Sequence, residues 1–127
     1  MSIILDAGAL VALERGDRAT WRRLKAALLS GSPPMTHGGV IAQVWRGGTG
    51  HQTRLARALQ AVETVPLDEE LGRRAGVLLA RSGLSDAIDA ALAAMAAHGD
   101  RIITSDPHDI AVLVAVTSRR VDVVPVS

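Results

Sequence analysis

Short apolar runs alternate along this chain with longer stretches of helical period, the pattern of βαβ units that build a parallel sheet. Residues 2–5 (SIIL) predict a first strand, followed by a helix over 7–14. Residues 19–29 put Trp21, Leu24 and Leu28 on one face and Arg22, Arg23 and Lys25 elsewhere, an amphipathic helix that Gly31-Ser32-Pro33-Pro34 ends. A brief strand at 35–36 leads into a helix over 40–46, stopped by Gly47-Gly48. The stretch 52–62 predicts another amphipathic helix with Leu55, Leu59 and Val62 inward, and 64–67 a third strand. Helices over 69–81 and 86–98 flank Ser82-Gly83-Leu84-Ser85. The last strands, 101–105 and 121–126, lie either side of a helix over 107–116. No repeat, low-complexity tract or linker interrupts this order, and 127 residues accommodate one domain, 1–127, with no second core.

Strands so short and apolar are those buried on both faces by helices, so the expected fold is a three-layer α/β/α sandwich around a central parallel sheet. Aromatics are nearly absent: Trp21 and Trp45 are the only two, and Ala, Leu, Val and Ile must build the core. The absence of cysteine excludes disulfides and thiolate metal sites. Asp6 falls inside the first apolar run and no basic segment precedes it, unlike a secretory signal. No apolar stretch approaches the roughly 18 residues of a membrane span. The expectation is a soluble, cytoplasmic domain. Net charge is +1, which does not advertise a nucleic-acid partner. Lys25 is the only lysine against thirteen arginines, a skew that suits phosphate recognition but equally follows from a GC-rich genome.

In open parallel sheets ligands sit beyond the carboxyl ends of the strands, so the acids predicted there matter most. Asp6 follows the first strand and Asp106 the fourth. Each also suits a helix N-cap, Asp106 the more so because Pro107 follows it. Asp86 stands at a helix start, where the dipole favours negative charge. Asp89 is harder to explain structurally. It lies a turn inside a helix that continues AALAAMAA, no Lys or Arg is within a turn, and it shares a face with Asp86. If the first and fourth strands are neighbours, Asp6, Asp89 and Asp106 converge on one acidic pocket. Carboxylates so close raise one another's pKa unless a hard cation such as Mg²⁺ neutralises them. Bound there, such an ion polarises a phosphoryl oxygen and delivers hydroxide, which is phosphodiester hydrolysis.

The segments ILDAGALVALE, VIAQVWRGG, SDAIDAALAAMAAHGDRIITSD and the closing VVPV resemble, in this order and spacing, the PIN domain family, and within it the VapC toxins of bacterial toxin–antitoxin pairs. The resemblance spans essentially the whole chain. It implies a PIN-like sheet between helices, a Mg²⁺- or Mn²⁺-dependent endoribonuclease acting on RNA (transfer RNA among the candidates), a homodimer, and a small VapB-like antitoxin that occupies the active site. The family's metal-binding and catalytic acids fall on Asp6, Asp89 and Asp106, with Asp86 as a nearby helper, and Ser105 matches a small hydroxyl residue and is a candidate RNA contact. The chain departs from the family at Gln43, where glutamate is usual. Glutamine offers an oxygen but no charge, which lowers expected metal affinity and favours Mn²⁺. It also keeps open an RNA- or antitoxin-binding module with weakened catalysis.

Other features carry less. Gly47-Gly48-Thr49-Gly50-His51 lacks the Gly-Lys-Ser/Thr ending of a phosphate loop and reads as a helix end and turn. The histidines 37, 51, 98 and 108 have no ligand spacing. His98 is explained by a helix C-terminus, and His108 lies within two residues of Asp106. Arg46 follows the Gln43 helix closely enough to contact a phosphate, though a solvated arginine is the plainer reading. A receiver-like phosphoacceptor domain needs a second acid beside Asp6 and a lysine on a late strand, and neither is present.

Overall fold

The computed structural model describes residues 1–126. Its five strands are β1 (Ile3–Leu5), β2 (Met35–His37), β3 (Glu63–Val65), β4 (Arg101–Thr104) and β5 (Asp122–Pro125). They form one sheet in the order β3-β2-β1-β4-β5, every pairing parallel. The helices are α1 (Ala7–Glu14), α2 (Arg18–Leu29), α3 (Gly38–Val44), α4 (Thr53–Leu59), α5 (Glu69–Ser82), α6 (Ala87–Met95) and α7 (Pro107–Ala115). α1 packs on α2, α3 and α4, and α6 packs on α5 and α7. With the right-handed crossovers that parallel strands follow as a rule, this order puts the first group on one face of the sheet and the second on the other, the three layers expected.

The chain winds one way through β1, β2 and β3, then returns through β4 to β5. The direction therefore switches between β1 and β4, which pair with Leu5 opposite Ile103. That crevice is where an open sheet of this kind receives a ligand.

Ile4, Leu10, Leu13, Leu55, Leu92, Ile102, Ile103, Ile110 and Leu113 are fully buried, each contributing about 1.5–3 kcal/mol by removal from water. In α6 the run Ala90–Ala94 is buried on every side. Its small side chains let α5 and α7 pack against it in a core that has no Phe or Tyr.

Local chemistry moves several element ends from their sequence-predicted places. α3 starts at Gly38, not residue 40, because the His37 ring accepts from Gly39 N–H and caps the helix. α6 stops at Met95, not residue 98: the buried Asp100 carboxylate accepts from Ala97 N–H and Ser2 N–H and draws the chain out of the helix. The stretch predicted as one helix over 52–62 divides into a 3-10 turn, Gly50–Gln52, and α4. β3 ends before Pro66, which has no N–H for the ladder. Leu28, predicted inward, is exposed along with Leu29, whereas Trp21 is held in place by its indole N–H donating to the Leu13 carbonyl at 3.0 Å.

Candidate active site

Two strand ends and one helix start deliver the acids to the switch point. Asp6 leaves β1 in extended backbone and caps α1, with Oδ1 accepting from Ala9 N–H at 2.9 Å. Its Oδ2 accepts from the Thr104 hydroxyl at 2.6 Å and from Ser105 N–H at 3.0 Å. Asp6 is thus buried, but three donors satisfy its charge. The Thr104 hydroxyl also accepts from Asp106 N–H at 2.8 Å. One buried hydroxyl at the end of β4 therefore fixes Asp6 and Asp106 relative to each other.

Asp106 occupies the N-cap position of α7 ahead of Pro107, as its sequence context suggests, yet its side chain makes no capping hydrogen bond. Its carboxylate stays available. Asp86, by contrast, is a working cap: Oδ1 accepts from Ile88 N–H and Asp89 N–H, both at 3.0 Å, and the residue is exposed.

Asp89 sits in the first turn of α6, half-buried. The turn is held over the end of β2 by His37, whose Nε2 lies 2.9 Å from the Ile88 carbonyl. With Nδ1 accepting from Gly39, Nε2 is the protonated nitrogen and the ring is neutral. Burial, only partly offset by the Ile88 bond, lowers the His37 pKa and keeps it so. The Asp89 carboxyl is pushed up to about 7, first by desolvation and then by the charges of Asp86, Asp106, Asp6 and Asp109. The sole ion pair among the described residues, Arg73–Glu69, lies on α5 and neutralises none of them.

The sequence-predicted acids are therefore brought into one electrostatic cluster, and two residues that sequence reasoning missed belong with them. Asp109 follows Asp106 by three on α7, a spacing visible in DPHD. Thr104 carried no signal beyond its place before Ser105. It is the Thr104 hydroxyl, and only the backbone N–H of Ser105, that organises the acids. Gly8 is also needed, since a Cβ there would stand 2.2 Å from Ser105 Cβ.

Other residues singled out in the sequence stand apart from the acids. Gln43 is exposed on α3 and no hydrogen bond joins it to the aspartates. The Arg46 guanidinium turns back to the carbonyls of Ala42 and Trp45. His98 lies beyond α6, accepting from Arg120 N–H, so the helix-end account of it does not hold. His108 is exposed in the first turn of α7. The glycine loop is structural: the buried Gln52 accepts from Arg46 and Gly48 N–H and donates to Glu14 and the Val44 carbonyl.

As the side chains stand, no three His, Cys, Asp or Glu groups among the described residues are arranged to hold a metal ion. The donor set nevertheless suits a hard divalent cation in kind. It is all carboxylate, Asp106 has an uncommitted carboxylate, and Asp89 is destabilised when charged, by burial first and then by four like neighbours. A cleft of about 580 Å³ runs from Ser105, whose N–H binds Asp6, and Gly8 along Val11 and Ala12 to Arg15 and Asp17.

A parallel sheet with acids gathered at its switch point belongs to the class of α/β proteins that receive ligands beyond the carboxyl ends of the strands. The PIN domain family matches residues 3–113, and the chain belongs to that family. In fold it is similar to the crystal structure of VapBC2 from Rickettsia felis bound to a DNA fragment from its promoter, with a TM-score of 0.68 and 14% identity, over 97% of this chain and 98% of that one. No curated protein matches it.

Proposed function

We propose that this protein is a divalent-cation-dependent endoribonuclease and the toxin of a toxin–antitoxin pair. The single observation that carries the reading is Asp89, a carboxyl pushed up first by its partial burial and then by the charges of four other aspartates at the β1–β4 crevice. Keeping uncompensated acids there lowers stability, and binding a cation relieves it. Support comes from membership of a family whose members are generally nucleases, and from the similarity in fold to a VapBC complex.

In this reading Asp6, Asp89 and Asp106 hold Mg²⁺ or Mn²⁺, with Asp86 and Asp109 completing the negative field. When bound, the ion supplies Lewis-acid activation of a phosphoryl oxygen and an activated water. The chain's own contribution is positional. Thr104 and the Ser105 N–H fix Asp6, while His37 holds the turn that carries Asp89. A small antitoxin and a second copy of the chain are the expected protein partners.

Purified protein with Mn²⁺ is expected to cleave single-stranded or transfer RNA. Asp106→Asn is the discriminating variant, because that side chain makes no capping bond whose loss would unsettle α7. Cleavage that survives Asp106→Asn overturns the assignment. Gln43 favours a second reading, an RNA- or antitoxin-binding module with weak catalysis, which efficient cleavage by the wild type excludes.

A further inference from the structure

A second cleft, of about 470 Å³, opens between α2 and α4. Its walls carry Arg18, Arg22 and Lys25 from α2, Arg54 and Arg57 from α4, and the ring of Trp21. The spacing 18, 22, 25 is one helix face, and 54, 57 another, so α-helical period gathers five cations that a net charge of +1 conceals. None is in an ion pair; the sole one among the described residues is Arg73–Glu69.

The nearby acids are occupied. Asp17 accepts from the Thr20 hydroxyl at 2.6 Å and from Thr20 N–H at 3.0 Å, and Glu14 accepts from Gln52 at 2.9 Å. Hydrogen bonding by Thr20, with the Arg22 charge, holds Asp17 below the usual carboxylate range, so at the rim it offsets one cation only.

The cleft is also pre-shaped. Gly16 has φ +76°, and a Cβ there would meet Arg54 Nε at 3.3 Å, so this guanidinium lies against bare backbone. The indole N–H of Trp21 is tied to the Leu13 carbonyl, which fixes the ring in the wall. Cations lining a groove beside a fixed aromatic face are what single-stranded nucleic acid requires, phosphates meeting charge and a base stacking on the ring. The cleft from Ser105 and Gly8 along α1 ends at Arg15 and Asp17, and their chain neighbours Gly16 and Arg18 line this one.

We propose that the α2–α4 cleft binds the sugar–phosphate backbone of single-stranded RNA beyond the scissile phosphodiester, with a base stacked on Trp21. The proposal rests on the ribonuclease reading for its choice of polymer. Trp45→Phe leaves Trp21 as the only indole, and a ten-nucleotide single-stranded RNA is titrated into this variant in EDTA, with labelled-RNA anisotropy in parallel. Quenching of Trp21 is expected. Adding Arg54→Gln and Arg57→Gln is expected to weaken binding about 10-fold at low salt. With about 0.7 counterions released per phosphate, it also flattens the dependence of log K on log salt by about 1.4. Both arginines are exposed, so an unchanged thermal melt verifies folding.

No quenching, or equal binding by the arginine variant, overturns the proposal. So does displacement of the RNA by polyglutamate of matched charge at equal affinity, which would assign the cleft to an acidic protein segment. Kinetics separate this proposal from the one it rests on. Cleavage with unchanged KM in the arginine variant overturns the cleft alone, while intact RNA binding without any cleavage by the wild type upholds the cleft and overturns the nuclease.

Discussion

Replacing Asp89 by asparagine removes a carboxyl that the fold holds against its own titration. In the folded chain its pKa is about 7, against about 3.9 for an unfolded aspartate. Between those values the folded protein retains a proton that the unfolded chain has released. Stability therefore falls as pH rises through the window from about 4 to about 7, and the loss is complete above it. At 1.36 kcal/mol per pH unit the ceiling is about 4 kcal/mol, and solvent screening of a half-buried group reduces it to about 2. Asparagine mimics the neutral form at every pH. In EDTA, Asp89→Asn is expected to match the wild type near pH 4 and to exceed it by about 2 kcal/mol near pH 8. That is a rise of about 5–8 °C in Tm for a chain of this size. Mn²⁺ at about 100-fold over its Kd should stabilise the wild type by about 2.7 kcal/mol and leave the variant unmoved, while RNA cleavage is lost. Urea and thermal unfolding at the two pH values, with and without Mn²⁺, measure each of these quantities. A variant less stable than the wild type near pH 8 in EDTA, or a difference independent of pH, refutes the electrostatic account of Asp89.

Gly8→Ala drives a Cβ into Ser105 Cβ, which is fixed to the backbone that donates to Asp6. Overpacking of about 1–3 kcal/mol should outweigh the gain of about 1 kcal/mol in helix propensity, with cleavage reduced as well. Gly76→Ala on α5 meets nothing within 4 Å and should stabilise by about 0.5–1 kcal/mol, so denaturation of the pair isolates close approach from propensity. Gln52→Leu strands the N–H groups of Arg46 and Gly48 and the Val44 carbonyl, and urea melts should show a loss of about 2–4 kcal/mol. Gln43→Glu should tighten Mn²⁺ binding in calorimetry if this position reaches the ion, and unchanged binding would place it outside the ligand set.

The order of strands and helices was legible because hydrophobic period reports burial directly. Asp6, Asp89 and Asp106 stood out for a similar reason. Each lies at a predicted strand end or inside an apolar helix, where a charge is costly without a partner. The helix ends were less legible, because distant groups set them: Asp100 ends α6 by bonding Ala97 and Ser2, and His37 starts α3 with its own ring. Thr104 could not be distinguished from any buried strand residue until β1 and β4 were seen to pair.

By itself, then, the sequence determined the fold class and a short list of acids, since both follow from local pattern and the cost of burying charge. Tertiary structure decided which acids share a field, which of them are already satisfied, and where the cations gather. Asp6 and Thr104 are 98 residues apart in the chain and 2.6 Å apart in space. Arg22 and Arg57 reach one cleft only because α2 and α4 both pack on α1. Coulomb and hydrogen-bond energies depend on distance through space, and sheet order fixes that distance where sequence spacing cannot.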